Sequence, residues 1–239
     1  MKIALCTLCF NSAQYIPEAV GNFMHYVDEV NVLVDNRTKD NSRELLKEFR
    51  KYCIVRIKEY TWVHDFSAAK NECIKMVSDD IDWIIYLDDD EKMTKEKAKE
   101  FTERIRKLEK NNGIGGILLP RKHHYPDWTY DEDNYLKEYY PDYHMIAFKN
   151  LKEGLCCNFR VHEDFFKNSV ENGAKLEIIK FDDINRHHHA WKGNREKWER
   201  IKSLYFGALQ HLPDEWRPGD PIPKGAEDIN IWDTYDGSQ

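Results

Sequence analysis

The run Trp83-Ile84-Ile85-Tyr86-Leu87 stops abruptly in Asp88-Asp89-Asp90-Glu91, and that junction limits the possible folds more than any other stretch. Five apolar residues without alternation read as a strand buried on both faces, the habit of central strands in a parallel sheet covered by helices. Acids at the carboxyl end of such a strand lie where open α/β sheets bind ligands. Along an extended chain side chains alternate, so Asp88 and Asp90 would point one way and Asp89 the other. Two carboxylates on one side repel unless a cation lies between them. Hard oxygen ligands suit Mg²⁺ or Mn²⁺, which fill their remaining positions with water and a substrate's phosphates. The plainer reading is a polar strand end leading into a helix capped at Thr94.

The elements before this junction repeat one pattern. Ile3 to Leu8 reads as a strand and Ser12 to Val27 as a helix, with Pro17 tolerated in its first turns. Val30 to Val34 is a second buried strand ending at Asp35. Asp40-Asn41-Ser42 supplies a cap for a helix carrying Leu45, Leu46 and Phe49. Ile54 to Tyr60 alternates like a third strand. Asp65 caps a helix in which Phe66, Ala69, Cys73 and Val77 share one face. After the acids, Lys95 to Lys110 reads as a helix with a stripe of Phe101, Ile105 and Leu108. The β-α-β-α-β-α-β order implies a mostly parallel sheet with helices on both faces.

Beyond Asn111-Asn112-Gly113 the character changes. Ile114 to Pro120, Tyr143 to Lys149 and Leu176 to Phe181 read as strands. His123 to Tyr143 lacks a period and is rich in Tyr, Trp, Asp and Pro; such a segment inside a compact domain usually forms a lid or binding loop. A helix is expected from about Asn194 to His211, buried along Trp198, Ile201, Tyr205, Ala208 and Leu212. The expected organisation is one domain over 1–212, with halves at 1–112 and 113–212. A surface tail rich in Pro, Gly and acids follows over 213–239.

Composition narrows the function classes. With 33% charged residues and no apolar span long enough to cross a bilayer, no stable membrane insertion is expected. A net charge of −7 argues against a broad nucleic-acid footprint. Cys6 and Cys9 are separated by two residues, but no second pair or nearby histidine completes a zinc set, so the six cysteines read as reduced core thiols, which points to the cytoplasm. Lys2 followed by Ile3 to Phe10 has the outline of a leader, but its apolar part is short and contains Thr7, so a first strand fits better.

Four blocks now carry a resemblance. Thr7-Leu8-Cys9-Phe10-Asn11, Val34-Asp35-Asn36-Arg37-Thr38-Lys39-Asp40-Asn41-Ser42, Trp62-Val63-His64-Asp65-Phe66-Ser67-Ala68-Ala69-Lys70-Asn71 and Leu87-Asp88-Asp89-Asp90-Glu91 resemble, in order and spacing, family 2 glycosyltransferases of the GT-A fold. Val161-His162-Glu163 and His188-His189-Ala190-Trp191 resemble the family's later motifs. Asn36 and Arg37 stand where the family usually has Gly and Ser. Lys70 stands where Arg is commoner, which keeps the charge and loses the bidentate fork.

The resemblance implies an inverting, metal-dependent hexosyltransferase acting on a nucleotide-diphosphate sugar, with donor contacts from Thr7, Asn11, Asp35, Arg37, Asp65, Lys70, Asp88 and Asp89. Asp90 would ligate Mn²⁺ or Mg²⁺, and Asp88 would reach the ribose or a metal-bound water. Asp35 would accept an imino N–H from the base, which favours a UDP-sugar. Glu163 would be the general base with Asp164 in reserve. His188 matches a possible third metal ligand, although Ala190 in the glycine position leaves His187 and His189 open. A saccharide acceptor is favoured, with Trp128, Tyr130, Tyr135, Tyr139 and Tyr140 available to stack on sugar rings.

Two rival readings stand beside this one. A sugar-phosphate nucleotidyltransferase also needs a metal-binding acid pair, but usually carries a Gly-rich basic loop that Thr7 to Ala13 lacks. A non-catalytic binding module of the same fold would have no reason to keep the acids, Glu163 and His188 together.

Overall fold

The computed structural model describes residues 1–63, 65–108, 113–124, 135–137, 140–151 and 176–189. Strands β1 (Ile3–Cys9), β2 (Glu29–Asp35), β3 (Ile54–Tyr60) and β4 (Trp83–Tyr86) run parallel in the order β3-β2-β1-β4. Strands β5 (Glu91–Lys92), β6 (Ile114–His124), β7 (Asp142–Lys149), β8 (Glu177–Lys180) and β9 (Arg186–His189) extend it. Beyond β4 come β7, β6, β9 and β5, with β8 paired to the first half of β6. β7 is antiparallel to β4 and β6, and β5 to β9; the other pairings are parallel. The sheet is mostly parallel, as the alternating order of elements predicts.

The continuous apolar runs in β1, β2 and β4 exist because both faces are covered. Ile3, Leu5, Val30, Val32, Trp83 and Ile85 pack with Leu46 of α2 (Ser42–Glu48) and with Phe101 and Ile105 of α4 (Lys95–Lys107). Their neighbours Ala4, Cys6, Leu33, Ile84 and Tyr86 pack on Ala69 and Cys73 of α3 (Phe66–Ile74). Helix α4 begins where Thr94 Oγ1 accepts from Lys97 N at 3.2 Å, and its last turn carries Arg104, Arg106 and Lys107, which complement the helix dipole.

Three expectations need correction. The helix read over Ser12 to Val27 is α-helical only over α1 (Ile16–Ala19), and the rest is a chain of turns. A side chain at Gly21 would meet the Pro17 carbonyl oxygen at 2.2 Å, so the apolar spacing here serves turns packed on the sheet rather than one rod. The irregular segment is shorter than expected, because His123 and His124 continue β6 while Asp142 and Tyr143 open β7. The third correction concerns the acids. β4 ends at Tyr86, and Glu91 N donates to Asp88 O at 3.0 Å, so Asp88 to Glu91 forms a tight turn and strand alternation does not apply.

That turn sets the shape of the site. On a flat sheet β5 would lie four strands from β4, about 19 Å away at ~4.8 Å per strand. A tight turn cannot span that, so the far half of the sheet curls over the carboxyl end of β4. The helix expected over Asn194 to His211 and the tail 213–239 lie outside the described residues.

Candidate active site

Strand order reverses between β1 and β4, and a doubly wound sheet opens a crevice at the carboxyl ends of such strands. The loop after β1 and the acid turn after β4 meet there. Asp89 fastens them together, accepting from Phe10 N at 3.1 Å and from the Ser12 hydroxyl. Asp88 turns towards α3, where Lys70 Nζ lies 3.2 Å from Oδ1. Lys70 is itself buried, with its ammonium 4.9 Å from the centre of the Tyr86 ring, a geometry for cation–π attraction. Asp90 turns the other way, its Oδ2 3.6 Å from His188 Nε2. One turn therefore sends three carboxylates in three directions.

The curled half of the sheet supplies the other wall. Because side chains alternate and the registers are Arg121↔Arg186, His123↔His188 and Arg121↔Asp142, one sheet face carries Arg121, His123, Asp142, His144, Arg186 and His188. Arg121 and Arg186 both bond Glu91 Oε1, the former at 3.2 Å. Arg121 also reaches Asp142 Oδ2 through Nε at 2.9 Å and Nη2 at 2.7 Å. Asp142 Oδ2 accepts from His123 Nε2 at 2.7 Å, and His123 Nδ1 lies 3.0 Å from His188 Nδ1. A continuous polar chain thus links Glu91 to Arg121, Asp142, His123, His188 and Asp90. On the opposite face His124 and His187 stack, with Nε2 and Nδ1 2.9 Å apart.

The charges in this chain tune one another. Burial works to raise the carboxyls of Asp88 and Glu91, but Lys70, Arg121 and Arg186 around the first and Arg186 and Arg121 around the second hold both below the ordinary range. For Asp142, burial is likewise overcome by hydrogen bonds from His123 and His144 and by the charge of Arg121, and its carboxyl lies far below that range. His123 and His144 are pushed down by burial first, against Asp142, with Arg121 adding to the fall. His188 falls well below an ordinary histidine through burial and the charge of Arg121.

These directions carry an expected pH response. Between the lowered folded pKa of a histidine and its unfolded value of about 6.5 the unfolded chain binds more protons, so stability drops as pH falls. The depressed carboxylates contribute stability above their unfolded values near 4 that is lost as pH falls further. Urea midpoints should therefore begin to decline near pH 6.5 and fall more steeply below about pH 4. A flat profile from pH 7 to pH 3 would contradict the arrangement.

The remaining residues expected to contact a donor are spread along the strand ends. Asp35 ends β2, and both its oxygens are held by Arg37, with Nη2 at 2.6 Å from Oδ2 and the backbone N–H at 2.9 Å from Oδ1. The Arg37 guanidinium lies 5.0 Å from the Phe10 ring centre and is half-exposed. Asn11 has a positive φ of 48° and accepts from Lys39 N at 2.8 Å, tying the loops after β1 and β2 together. Thr7 is buried beneath the crevice and donates to Leu8 O. Asp65 caps α3, accepting from Ala68 N at 3.0 Å.

Tyr135 and Tyr140 meet edge to face at 5.2 Å. Trp128, Tyr130, Tyr139, Glu163 and Asp164 lie outside the described residues. Sequence reasoning missed Arg121, His123, Asp142, His144 and Arg186. Three pairs spaced by two residues, Arg121/His123, Asp142/His144 and Arg186/His188, are the alternation that a polar strand face leaves in a sequence.

A carboxylate oxygen of Asp90 and an imidazole nitrogen of His188 approach one another at the crevice, a mixed oxygen–nitrogen pair that could hold one side of a divalent cation. Among the described residues no three His, Cys, Asp or Glu side chains cluster so as to hold a metal unaided. A cation here would draw its other ligands from a substrate and water.

Known structures share this architecture. S. aureus TarS 1–349 in complex with UDP matches with a TM-score of 0.54 at 14% identity, over 90% of this chain and 68% of that one. The mannosyltransferase PcManGT from Pyrobaculum calidifontis, in complex with GDP-Man and Mn²⁺, matches with a TM-score of 0.59 at 13% identity, over 86% of this chain and 61% of that one. A curled, mostly parallel sheet with acids at the end of β4 is the GT-A class of fold. The chain belongs to glycosyl transferase family 2, whose family model matches residues 5–168. A TPR repeat-containing protein of Synechococcus elongatus is 28% identical over 104 residues, and the chain spans 24% of that protein's length. Among the described residues no helix is long and apolar enough to cross a membrane.

Proposed function

We propose that this chain transfers a hexose from a nucleotide-diphosphate sugar to an acceptor hydroxyl, with inversion and with Mn²⁺ or Mg²⁺ bound. The observation that carries the reading is the placement, at the carboxyl ends of β1 and β4, of Asp88 against Lys70 and of Asp90 against His188. A divalent ion held by Asp90 and His188 would neutralise the charge of the departing diphosphate. Lys70, already desolvated, lies close enough to share that charge, while Asp88 holds the ammonium in place and faces the ribose. Asp35 recognises the base once the half-exposed Arg37 side chain swings off its oxygens, which are otherwise fully occupied. UDP-sugars are the favoured donors, since uracil offers an imino N–H. Glu163, with Asp164 in reserve, is the proposed base that takes the acceptor's proton as it attacks from the face opposite the leaving group. The acceptor is proposed to be a saccharide, the protein to act in the cytoplasm, and residues 1–212 to form one catalytic domain.

The test is a thermal-shift panel of nucleotide diphosphates and nucleotide sugars, each with and without Mn²⁺, on the wild type and Asp90→Ala. A ligand that binds only the folded chain raises its melting temperature by mass action. The expected result is stabilisation by uridine nucleotides that requires Mn²⁺ and disappears in the variant. No shift with any nucleotide would sink the proposal, and a shift with guanosine nucleotides alone would move the donor.

A further inference from the structure

We infer that Asp142 and His123 are positioning residues that fix the tautomer of His188, so that its Nε2 presents a lone pair beside Asp90. The inference rests on the cation reading above and names residues that reading does not use. Its basis is the order of hydrogen-bond partners along the curled sheet face. Asp142 Oδ2 only accepts, so the hydrogen in its 2.7 Å contact with His123 sits on Nε2. A neutral imidazole carries one ring hydrogen, which leaves His123 Nδ1 bare. His188 Nδ1 lies 3.0 Å from it, and a hydrogen bond between two ring nitrogens needs one donor, so His188 is protonated on Nδ1. Its Nε2 then has no hydrogen, and it faces Asp90 Oδ2 across 3.6 Å.

Two lone-pair atoms facing one another repel, and a cation between them reverses the sign. The other tautomer would put a hydrogen on His188 Nε2, which would donate to Asp90 and close the position. Metal-ligating histidines are commonly oriented by a hydrogen bond from their second nitrogen to a carboxylate or carbonyl, and loss of that partner weakens metal binding. Here the orienting carboxylate acts one ring further away. Arg121 holds it through two nitrogens, at 2.9 Å and 2.7 Å from Asp142 Oδ2, and the rings of His123 and His188 stand at 89° to one another. The 3.6 Å between His188 Nε2 and Asp90 Oδ2 is longer than a hydrogen bond, which agrees with no hydrogen lying between them.

The tautomers can be read directly. In metal-free, ¹⁵N-histidine-labelled full chain, long-range ¹H–¹⁵N correlation distinguishes protonated from bare ring nitrogens, with assignments from the signals lost in His123→Asn and His188→Gln. The expected result is His123 protonated on Nε2 and His188 on Nδ1. Mn²⁺ titration followed by electron paramagnetic resonance, with saturating UDP, gives the second readout. His123→Phe keeps the ring volume and loses the nitrogens, and should weaken Mn²⁺ binding by about 10–100-fold. His123→Asn places an amide oxygen near the Nδ1 position and should retain most of the affinity. Better binding by Phe than by Asn would mean a packing role and overturn the inference. Mn²⁺ binding that needs Asp90 beside a His188 protonated on Nε2 would overturn this inference alone. Mn²⁺ binding indifferent to Asp90→Ala would overturn the cation reading and this inference with it.

Discussion

Replacing Glu91 by alanine is expected to lower the unfolding free energy by about 3–5 kcal/mol, the range seen when one partner of a buried ion pair is removed. Glu91 is 1% exposed and Arg186 3% exposed. Arg186 reaches Glu91 through Nη1, and among the described residues its Nε and Nη2 find no hydrogen-bond partner. Without Glu91 a guanidinium would be left in a site from which it cannot reach water. Arg121 is better placed, because Asp142 still holds it. The cost should therefore lie in Arg186, and Glu91→Leu combined with Arg186→Leu should recover most of it, since an apolar pair removes the stranded charge. Urea denaturation of Glu91→Leu, Arg186→Leu and the double variant closes the cycle. Additive losses in the double variant would show that the two residues act separately.

The parallel half of the fold was legible because its physics is local. Continuous apolar runs fix β1, β2 and β4, and oxygen-bearing caps at Asp65 and Thr94 fix the starts of α3 and α4. Gly21 shows where locality fails, since the same apolar spacing suits a helix and a series of turns, and a close approach to Pro17 O accompanies the turns. The curled half was harder to read for a different reason. His187 looks like part of a polar run, yet it is 1% exposed, because β9 is paired on both sides and stacks His187 on His124. That burial depends on partners 63 residues away, which no window along the chain contains. The acid turn lies between the two cases. Its composition raised the expectation of a ligand site, but its direction could not be read by alternation, because Glu91 N bonds back to Asp88 O.

Asp90→Asn separates the roles within that turn. Asp89 joins the β1 loop and Glu91 pairs with two arginines, while Asp90 faces His188. An amide in its place keeps the shape and removes the charge that a divalent ion requires. Such an ion contributes several kcal/mol of charge stabilisation to a departing phosphate, and each ~1.4 kcal/mol is tenfold in rate, so turnover of a UDP-sugar should fall on the order of 10³-fold. The melting temperature of the metal-free protein should change little or rise, because Asp90 adds negative charge to a turn that already holds three other carboxylates. Measuring donor hydrolysis and melting temperature on the same preparation distinguishes this from Glu91→Ala, which should lose both. Full turnover in Asp90→Asn would remove Asp90 from the catalytic site, and a large drop in melting temperature would assign it to the fold alongside Asp89 and Glu91.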